Sequence, residues 1–433
     1  MANASVDRKA LRVAVLARVV YPLHSYGGLQ RHAFDLVRSL AARGVEITLI
    51  TQPLSDSRPS DPAADAIFAA PGVTLETVPY RTFPFAGRRG TTILDRITAY
   101  PMFGRRVGQL AARLAERGEI DLVYGLGASA LGYARRWPAP ASERAPFVFN
   151  PQGLEEFGAT DPGRAPLKRI AYRPLQRAVR ACAHSADRVI ATDRVLVEPV
   201  LKHLGVDRES VVVVPNAIEL SACDRPGSKE RIRPLLRSVN LGPDDLLFVG
   251  VGRLEANKGF HVLLEALAQL SSSGRLPPSW RLVLVGDGPM RHELARIASD
   301  RGLGNQVIFV GRVGDDDLHG WYEAATLFVH PTLYEGSSLV TLEAMAHQRA
   351  VVATRAGGLP DKVRPGVNGW LVEPGDAVAL ADTIAEALQS AERLPAMGLQ
   401  GRLIVEREFS WSVIANRLLV LFDELVDRRR RVR

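Results

Sequence analysis

Short apolar runs alternate with amphipathic stretches along most of the chain. Leu11–Ala17 reads as a buried strand. A loop from Tyr21 to Leu29 follows. An amphipathic helix then runs from Gln30 to Ala42, with Phe34, Val37 and Leu40 on one face and Gly44 as its stop. Val45–Thr51 is the next strand, which completes a strand–loop–helix–strand unit. Further strands are predicted at Val73–Val78, Asp121–Tyr124, Phe147–Asn150, Asp187–Ala191 and Val211–Val214, with helices at Phe103–Arg117 and Lys168–Ala183. Strands alternating with helices over about 215 residues predict an α/β domain, a parallel sheet covered on both faces.

The interval from Ile218 to Pro243 breaks the rhythm. It holds Pro226, Gly227 and Pro234 among many charges and is read as a domain connection. The pattern then restarts. Strands are predicted at Leu246–Val251, Arg281–Val285, Val307–Val310, Thr326–His330 and Ala350–Ala353. Helices are predicted at Phe260–Leu270, Met290–Arg301, Leu318–Ala325, Ala377–Gln389 and Trp411–Val426. This is a second doubly wound domain. Ligands of such sheets sit beyond the C-terminal ends of the strands. The loops to inspect are therefore Gly252–Gly259, Gly286–Pro289, Gly311–Val313, Pro331–Ser338 and Gly357–Pro360.

Composition sharpens this only in part. The chain has 433 residues, 46% hydrophobic and 24% charged, which fits two ordinary globular domains. No apolar run reaches the ~18 residues of a membrane span. The short run after Lys9 is interrupted by Arg18 and does not read as a signal peptide. Cys182 and Cys223 form neither a disulfide framework nor a metal-ligand spacing. These features predict a cytoplasmic protein. The formal net charge is +8, carried almost wholly by Arg, since only six residues are Lys. Basic stretches at 81–117 and 164–180 and the tail from Arg428 to Arg433 suit contact with the anionic cytoplasmic face of a membrane. They equally suit a solvated surface. No nucleic-acid-binding motif accompanies them, and no nucleic-acid partner is expected.

Candidate chemistry concentrates at 331–346. Glu335 and Glu343 stand eight positions apart around a Gly336-Ser337-Ser338 turn that leads into a helical pattern. A helix N-terminus offers unpaired N–H groups and a positive dipole end, a natural seat for phosphate. Small residues at 336–338 let a ligand approach the backbone. The two carboxylates can accept bonds from sugar hydroxyls. Arg253 and Lys258, five apart after a strand, can neutralise a diphosphate without a metal. Taken singly, each feature also fits a plain surface role. Asp315-Asp316-Asp317 reads as N-cap and first-turn acid rather than a metal site. Gly27-Gly28 seats a phosphate or forms a tight turn, and it is not the GxGxxG of dinucleotide binders. The nine His show no ligand spacing; His24 lies in the Gly-Gly loop and is a candidate for facing the cleft, while His330 and His347 read as structural.

The combination is more specific than its parts. Gly252-Arg253-Leu254 with Lys258-Gly259, Gly286-Asp287-Gly288-Pro289, Tyr334-Glu335-Gly336 with Glu343-Ala344-Met345-Ala346, and Gly357-Gly358-Leu359-Pro360 resemble the retaining GT-B glycosyltransferases of family 4, also called group 1. Gly27-Gly28 and Pro215-Asn216 match the N-terminal half of that pattern. The resemblance implies two facing Rossmann-like doubly wound domains with a cleft between them. It implies an acceptor-side domain over 1–217, a connection over 218–243, a nucleotide-sugar domain over 244–408, and a last helix over 409–433 that crosses back. It implies a hexosyltransferase without cofactor or metal, whose partners are a nucleotide-diphosphate sugar (UDP-sugar first, GDP-mannose next) and a glycan or glycolipid acceptor, in envelope polysaccharide or glycolipid synthesis.

Roles carry over by position. Arg253 and Lys258 resemble the diphosphate clamp, Glu335 the residue on the donor sugar hydroxyls, and Glu343 the residue on the ribose. The backbone N–H groups at Ser338, Leu339 and Val340 would meet the phosphates, and Gly252, Gly286, Gly336 and Ser337 would be donor-binding. Arg312 and Val313 would lie by the base, and Gly28 would approach from the other domain. His24, Gly27 and Gln152 would be acceptor-side. Gln152 departs from the family, where His is frequent, so no acid or base role transfers to it. Asn257, Ala217 and Ser337-Ser338 are further departures. A GT-B-like nucleotide-sugar 2-epimerase or hydrolase, and a non-catalytic sugar- or polyanion-binding protein, are the rival readings.

Overall fold

The computed structural model describes residues 10–24, 28–54, 61–81, 91–139, 143–157, 170–224, 228–242 and 245–432. The chain divides into two compact units, Met1–Pro215 with Ile414–Arg433, and Asn216–Val413.

In the first unit seven parallel strands form one sheet. They are β1 (Arg12–Leu16), β2 (Glu46–Thr51), β3 (Val73–Thr77), β4 (Leu122–Leu126), β5 (Phe147–Asn150), β6 (Arg188–Ala191) and β7 (Val211–Val213). Their order is β3-β2-β1-β4-β5-β6-β7. β4 and β5 are buried along their whole length, which is why their residues are apolar on both faces. Arg12 clamps Asp121 through two side-chain bonds of 3.0 and 2.8 Å and so fixes the entry to β4 beside β1. The Gly28–Ala41 helix buries Phe34, Val37 and Leu40, the predicted face. Helices at Pro62–Phe68, Leu131–Arg136 and Val197–Leu204 lie outside the sequence expectations. Their short lengths carry little periodicity.

The last helix, Trp411–Val432, runs beyond its predicted end at Val426. From Ile414 on it belongs to the first unit. There Phe422 packs edge-on against Tyr124 at 5.9 Å, and Arg43 donates to Asn416 at 2.8 Å.

The second unit holds a six-stranded sheet of β8 (Leu246–Val251), β9 (Trp280–Val285), β10 (Val307–Gly311), β11 (Leu327–His330), β12 (Val351–Thr354) and β13 (Gly369–Val372). All pairings among these strands are parallel, in the order β10-β9-β8-β11-β12-β13. The direction of winding therefore reverses between β8 and β11. One apolar layer is built on Phe260, Leu263, Leu267 and Ile384, and another on Trp321, Leu342, Met345 and Phe409.

The stretch expected to be a connection is part of this second layer. Ile218, Cys223, Val239 and Leu241 are buried within it. Helices occupy Leu220–Cys223 and Ser228–Ser238, the latter with Pro234 inside. Burial of flanking apolar residues outweighs the local cost of an interior proline. Gly314, not an Asp, is the N-cap of the Asp315–Ala324 helix, and the three Asp form its first turn.

Candidate active site

The site grows from the reversal point of the second sheet. β8 runs into the Gly252–Gly259 loop, and β11 into the 331–338 loop. These are the two adjacent strands from which the chain departs in opposite directions, the position where doubly wound sheets open a crevice.

The two loops are tied together through one carbonyl. Asn257 O accepts from Leu333 N at 2.8 Å, Tyr334 N at 3.3 Å and Thr332 Oγ1 at 2.9 Å. This fixes Lys258 next to the turn that bears Glu335. Lys258 Nζ lies 2.6 Å from Glu335 Oε2, with both side chains largely buried. His330, wholly buried at the end of β11, reaches the same oxygen with Nε2 at 2.9 Å.

The charge states follow. Burial lowers the His330 pKa, and the Glu335 pull does not restore it. The ring is therefore neutral and donates Nε2–H to the carboxylate. For Glu335, burial alone would raise the pKa. The His330 bond and the Lys258 charge overturn that and hold it at about 2. An anionic carboxylate is thus fixed between a cation and a neutral donor.

The helix that follows, Leu339–Ala346, is capped by Ser338, whose Oγ accepts from Thr341 N at 3.3 Å. Gly336 N donates to Glu335 Oε1 at 3.2 Å. Gly358 N donates to Gly336 O at 2.9 Å, which ties the turn to the next loop. Glu343 is half-buried on this helix, and its Oε2 accepts from the buried Tyr322 hydroxyl at 2.7 Å. Burial, and then the Glu343 charge, push the Tyr322 hydroxyl well above its ordinary value, so it stays a donor.

The other strand ends gather beside these. Gly286 donates to Gly311 O at 2.8 Å. It has φ +131°, and a Cβ there would strike the Gly252 carbonyl. Gly252, Gly286 and Gly311 therefore stand shoulder to shoulder at the ends of β8, β9 and β10. Val313 is half-buried just beyond, and Arg312 is exposed.

Arg253 is not drawn to Lys258. Its side chain is 66% exposed and pairs with Glu255 at 2.9 Å. Reading the sequence also missed Lys362. It is fully buried, and its Nζ donates to Ser337 Oγ at 3.2 Å and Gly358 O at 3.1 Å. The structural reading of His330 understated it, because it touches Glu335 directly. Tyr322 had no signal, since its partner lies 21 positions away on another helix.

In the first unit, His24 is a correction. It is 5% exposed; its Nδ1 accepts from Val20 N at 3.0 Å and its Nε2 donates to Gln52 O at 3.1 Å. Those bonds fasten the loop after β1 and engage both ring nitrogens with the backbone. Gln152 has φ +66° and donates its N–H to Asn150 Oδ1 at 2.8 Å. Gly28 opens the first helix and is exposed. Gly27 lies outside the described residues.

Two strand-end loops thus carry a buried cation and carboxylate beside a capped helix N-terminus. Residues 26–222 match the description Glycosyltransferase Family 4 and residues 244–390 match Glycosyl transferases group 1. The chain belongs to this family and is a glycosyltransferase of the GT-B type. Among its relatives is the D-inositol 3-phosphate glycosyltransferase of Actinosynnema mirum, 31% identical over 435 residues that span 96% of this chain and 98% of that protein. The fold is shared with sucrose-phosphate synthase from Thermosynechococcus elongatus, TM-score 0.72 at 24% identity, over 96% of this chain and all of that one. It is also shared with Anabaena Alr3699/HepE in complex with UDP, TM-score 0.68 at 22% identity, covering 96% of this chain and 100% of that one.

Proposed function

We propose that the enzyme transfers a hexosyl unit from a nucleotide-diphosphate sugar to an acceptor hydroxyl with retention at the anomeric carbon. A UDP-sugar is the favoured donor and GDP-mannose the next. The observation that carries the reading is the Lys258–Glu335–His330 cluster at the reversal point of the second sheet.

The chemistry is charge management. As the glycosidic bond loosens, negative charge grows on the leaving phosphate oxygen. Lys258, Arg253 and the N–H groups at Ser338, Leu339 and Val340 stabilise it. Arg253 must leave Glu255 to do so, and its exposure permits that. Glu335 holds donor hydroxyls, in a position set by Lys258 and His330. Glu343 holds the ribose, oriented by Tyr322. The acceptor hydroxyl attacks from the face the phosphate leaves, and the leaving phosphate takes its proton. No side chain is needed as base, which suits Gln152 in place of a histidine. The protein's own cations meet the diphosphate charge, so no metal takes part in transfer.

A thermal-shift panel of UDP-, GDP- and ADP-sugars tests the donor, since binding to the folded state raises its stability by mass action. The UDP-sugars should give the largest shift. No shift with any nucleotide sugar overturns the reading. Nucleotide release that does not depend on acceptor favours the hydrolase or epimerase alternative.

For the acceptor, the exposed Arg105, Arg113, Arg173 and Arg177 favour a glycolipid reached from an anionic membrane surface. Flotation with liposomes should then require anionic lipid. A second reading, a phosphorylated cyclitol, is favoured by the D-inositol 3-phosphate glycosyltransferase names of the relatives. Product formation from D-inositol 3-phosphate in soluble assay separates the two.

A further inference from the structure

The structure assigns a zinc-binding site to Cys223, His319 and His347, outside the groups that serve the donor. Each side chain offers one ligand atom, and the three atoms lie within 4.8 Å of one another. They come from three separate elements. Cys223 ends the Leu220–Cys223 helical turn, His319 sits within the Asp315–Ala324 helix, and His347 follows the Leu339–Ala346 helix. Reading the sequence found no metal spacing because 96 residues separate the Cys from the first of these His (223 to 319).

The geometry is near that of a three-ligand site whose fourth position is left to a water. His319 Nδ1 and His347 Nε2 face each other at 2.8 Å. Around tetrahedral zinc, with Zn–N near 2.0 and Zn–S near 2.3 Å, ligand atoms stand about 3.3–3.6 Å apart. The imidazole pair therefore has to open by roughly half an ångström, and a pair at the 4.8 Å limit would have to close by no more than about 1.5 Å. Side-chain torsions of a Cys and two His supply that.

The surroundings suit an ion. Cys223 and His347 are each 6% exposed and His319 is half-buried; a water would complete the coordination. His347 turns its other nitrogen, Nδ1, toward Glu323 Oε1 at 3.7 Å. A carboxylate behind a ligating imidazole selects the tautomer whose lone pair faces the metal. The His347 ring is stacked on Tyr322, 13° from parallel at 5.7 Å, which holds its plane. Asp224 and Glu343 lie close enough to act electrostatically on this cluster, alongside Arg402 and Arg349.

Binding conserves protons simply. The Cys223 thiol loses its proton to solvent and the thiolate sulfur bonds zinc. The hydrogen bond between the imidazoles breaks. The proton that bridged them moves to the far nitrogen of the ring that carried it, so both rings remain neutral and give a lone pair. Net release is one proton for the thiol. The sulfur–imidazole donor set selects a borderline-soft ion such as Zn²⁺ over Mg²⁺ or Ca²⁺. Bound zinc would pin the start of the second unit to the two helices that bear Tyr322 and Glu343.

The test is a titration of the untagged, reduced, chelator-treated full-length chain with Co²⁺ as a spectroscopic substitute for zinc. The expected result is one equivalent bound, with the visible bands of tetrahedral cobalt and a sulfur-to-cobalt charge-transfer band, all displaced by Zn²⁺. Cys223→Ser should remove the charge-transfer band, and His347→Ala should weaken binding by roughly tenfold or more. Cys182→Ser, which changes a buried thiol in the first unit, should leave the bands unchanged. Circular dichroism of each metal-free variant confirms that it is folded. Wild-type protein that gives no tetrahedral spectrum, or a Cys223→Ser spectrum that matches it, overturns the assignment without any reference to catalysis.

Discussion

Lys258 Nζ and Glu335 Oε2 meet at 2.6 Å although 77 positions separate the two residues. The pair joins the loop after β8 to the loop after β11. It makes the cation and the carboxylate one unit rather than two independent substrate ligands. Replacing Lys258 by Ala should therefore remove a phosphate contact and also leave Glu335 without its cation. We expect kcat to fall by about 10²–10³, the scale of losing one charge-stabilising donor in a closed site. Circular dichroism should stay native, because the Asn257 carbonyl still ties the two loops. Turnover near the wild-type value would sink the role given to Lys258.

The same pair predicts how stability responds to acid. The Glu335 pKa is held at about 2, below its ordinary 4.5. Between those values the unfolded chain binds a proton that the folded one does not. The contribution of Glu335 is thus complete above its ordinary pKa and is lost as pH falls through that window toward about 2. His330 acts in the same direction higher up. Its pKa is depressed below 6.5, so protonation of the unfolded chain weakens the fold as pH drops through that region. Urea midpoints measured from about pH 7 down to about pH 3 should fall for wild type. The gap between wild type and Glu335→Gln should narrow below about pH 5. A gap that stays constant across that range would show that Glu335 is not held ionised by its neighbours.

Tyr322→Phe isolates the orientation of Glu343. The Tyr322 hydroxyl is fully buried and donates to Glu343 at 2.7 Å. Phe keeps the ring, which also stacks on His347, and removes only the donor. A hydrogen bond to a charged group contributes about 1.5–3 kcal/mol. If Glu343 grips the donor nucleotide, KM for the donor should rise by roughly tenfold while kcat changes little. A kcat loss at unchanged KM would place Glu343 elsewhere in the reaction.

These relationships also mark what a sequence can carry. The strands were legible because β8, β9, β11 and β12 are dominated by short apolar runs and are followed by Gly, Pro or polar residues. Glu335 and Lys258 were legible as residue types in strand-end loops, and Glu343 as a carboxylate on the helix that follows. The partners were not: Tyr322 and Lys362 reach the site only through tertiary packing, and His330, five positions before Glu335, reads as structural from its type alone. His24 misled because its place beside two glycines suggested exposure, whereas both nitrogens are spent on backbone atoms. The 218–243 interval misled in the opposite sense. Pro234 and dense charge masked Leu235, Leu236, Val239 and Leu241, which pack against or within the second core. Local chemistry reads well along a chain, but burial that depends on a distant element does not.

Gly357 gives a test of the turn itself, apart from any charge. It adopts φ +50°, and a Cβ at this position would be driven into the Glu335 carbonyl. Both facts forbid a side chain. The left-handed backbone strains an L-residue, and the close approach cannot relax by a rotamer change, because the obstacle is main chain. Gly358 N also holds Gly336 O at 2.9 Å, so the 335–336 peptide is trapped between two loops. Gly357→Ala must therefore push Glu335 away from Lys258 and His330. Backbone strain of this kind costs about 1–3 kcal/mol, which should lower the melting temperature by a few degrees without unfolding the chain. The larger effect should be on donor recognition, since the displaced carboxylate loses both partners. If Glu335 reads the donor sugar as proposed, thermal shift with the preferred nucleotide sugar should be lost, while the free nucleoside diphosphate still binds. Equal loss of both ligands would mean that Gly357 supports the phosphate seat as a whole and that Glu335 is not the sugar-reading group.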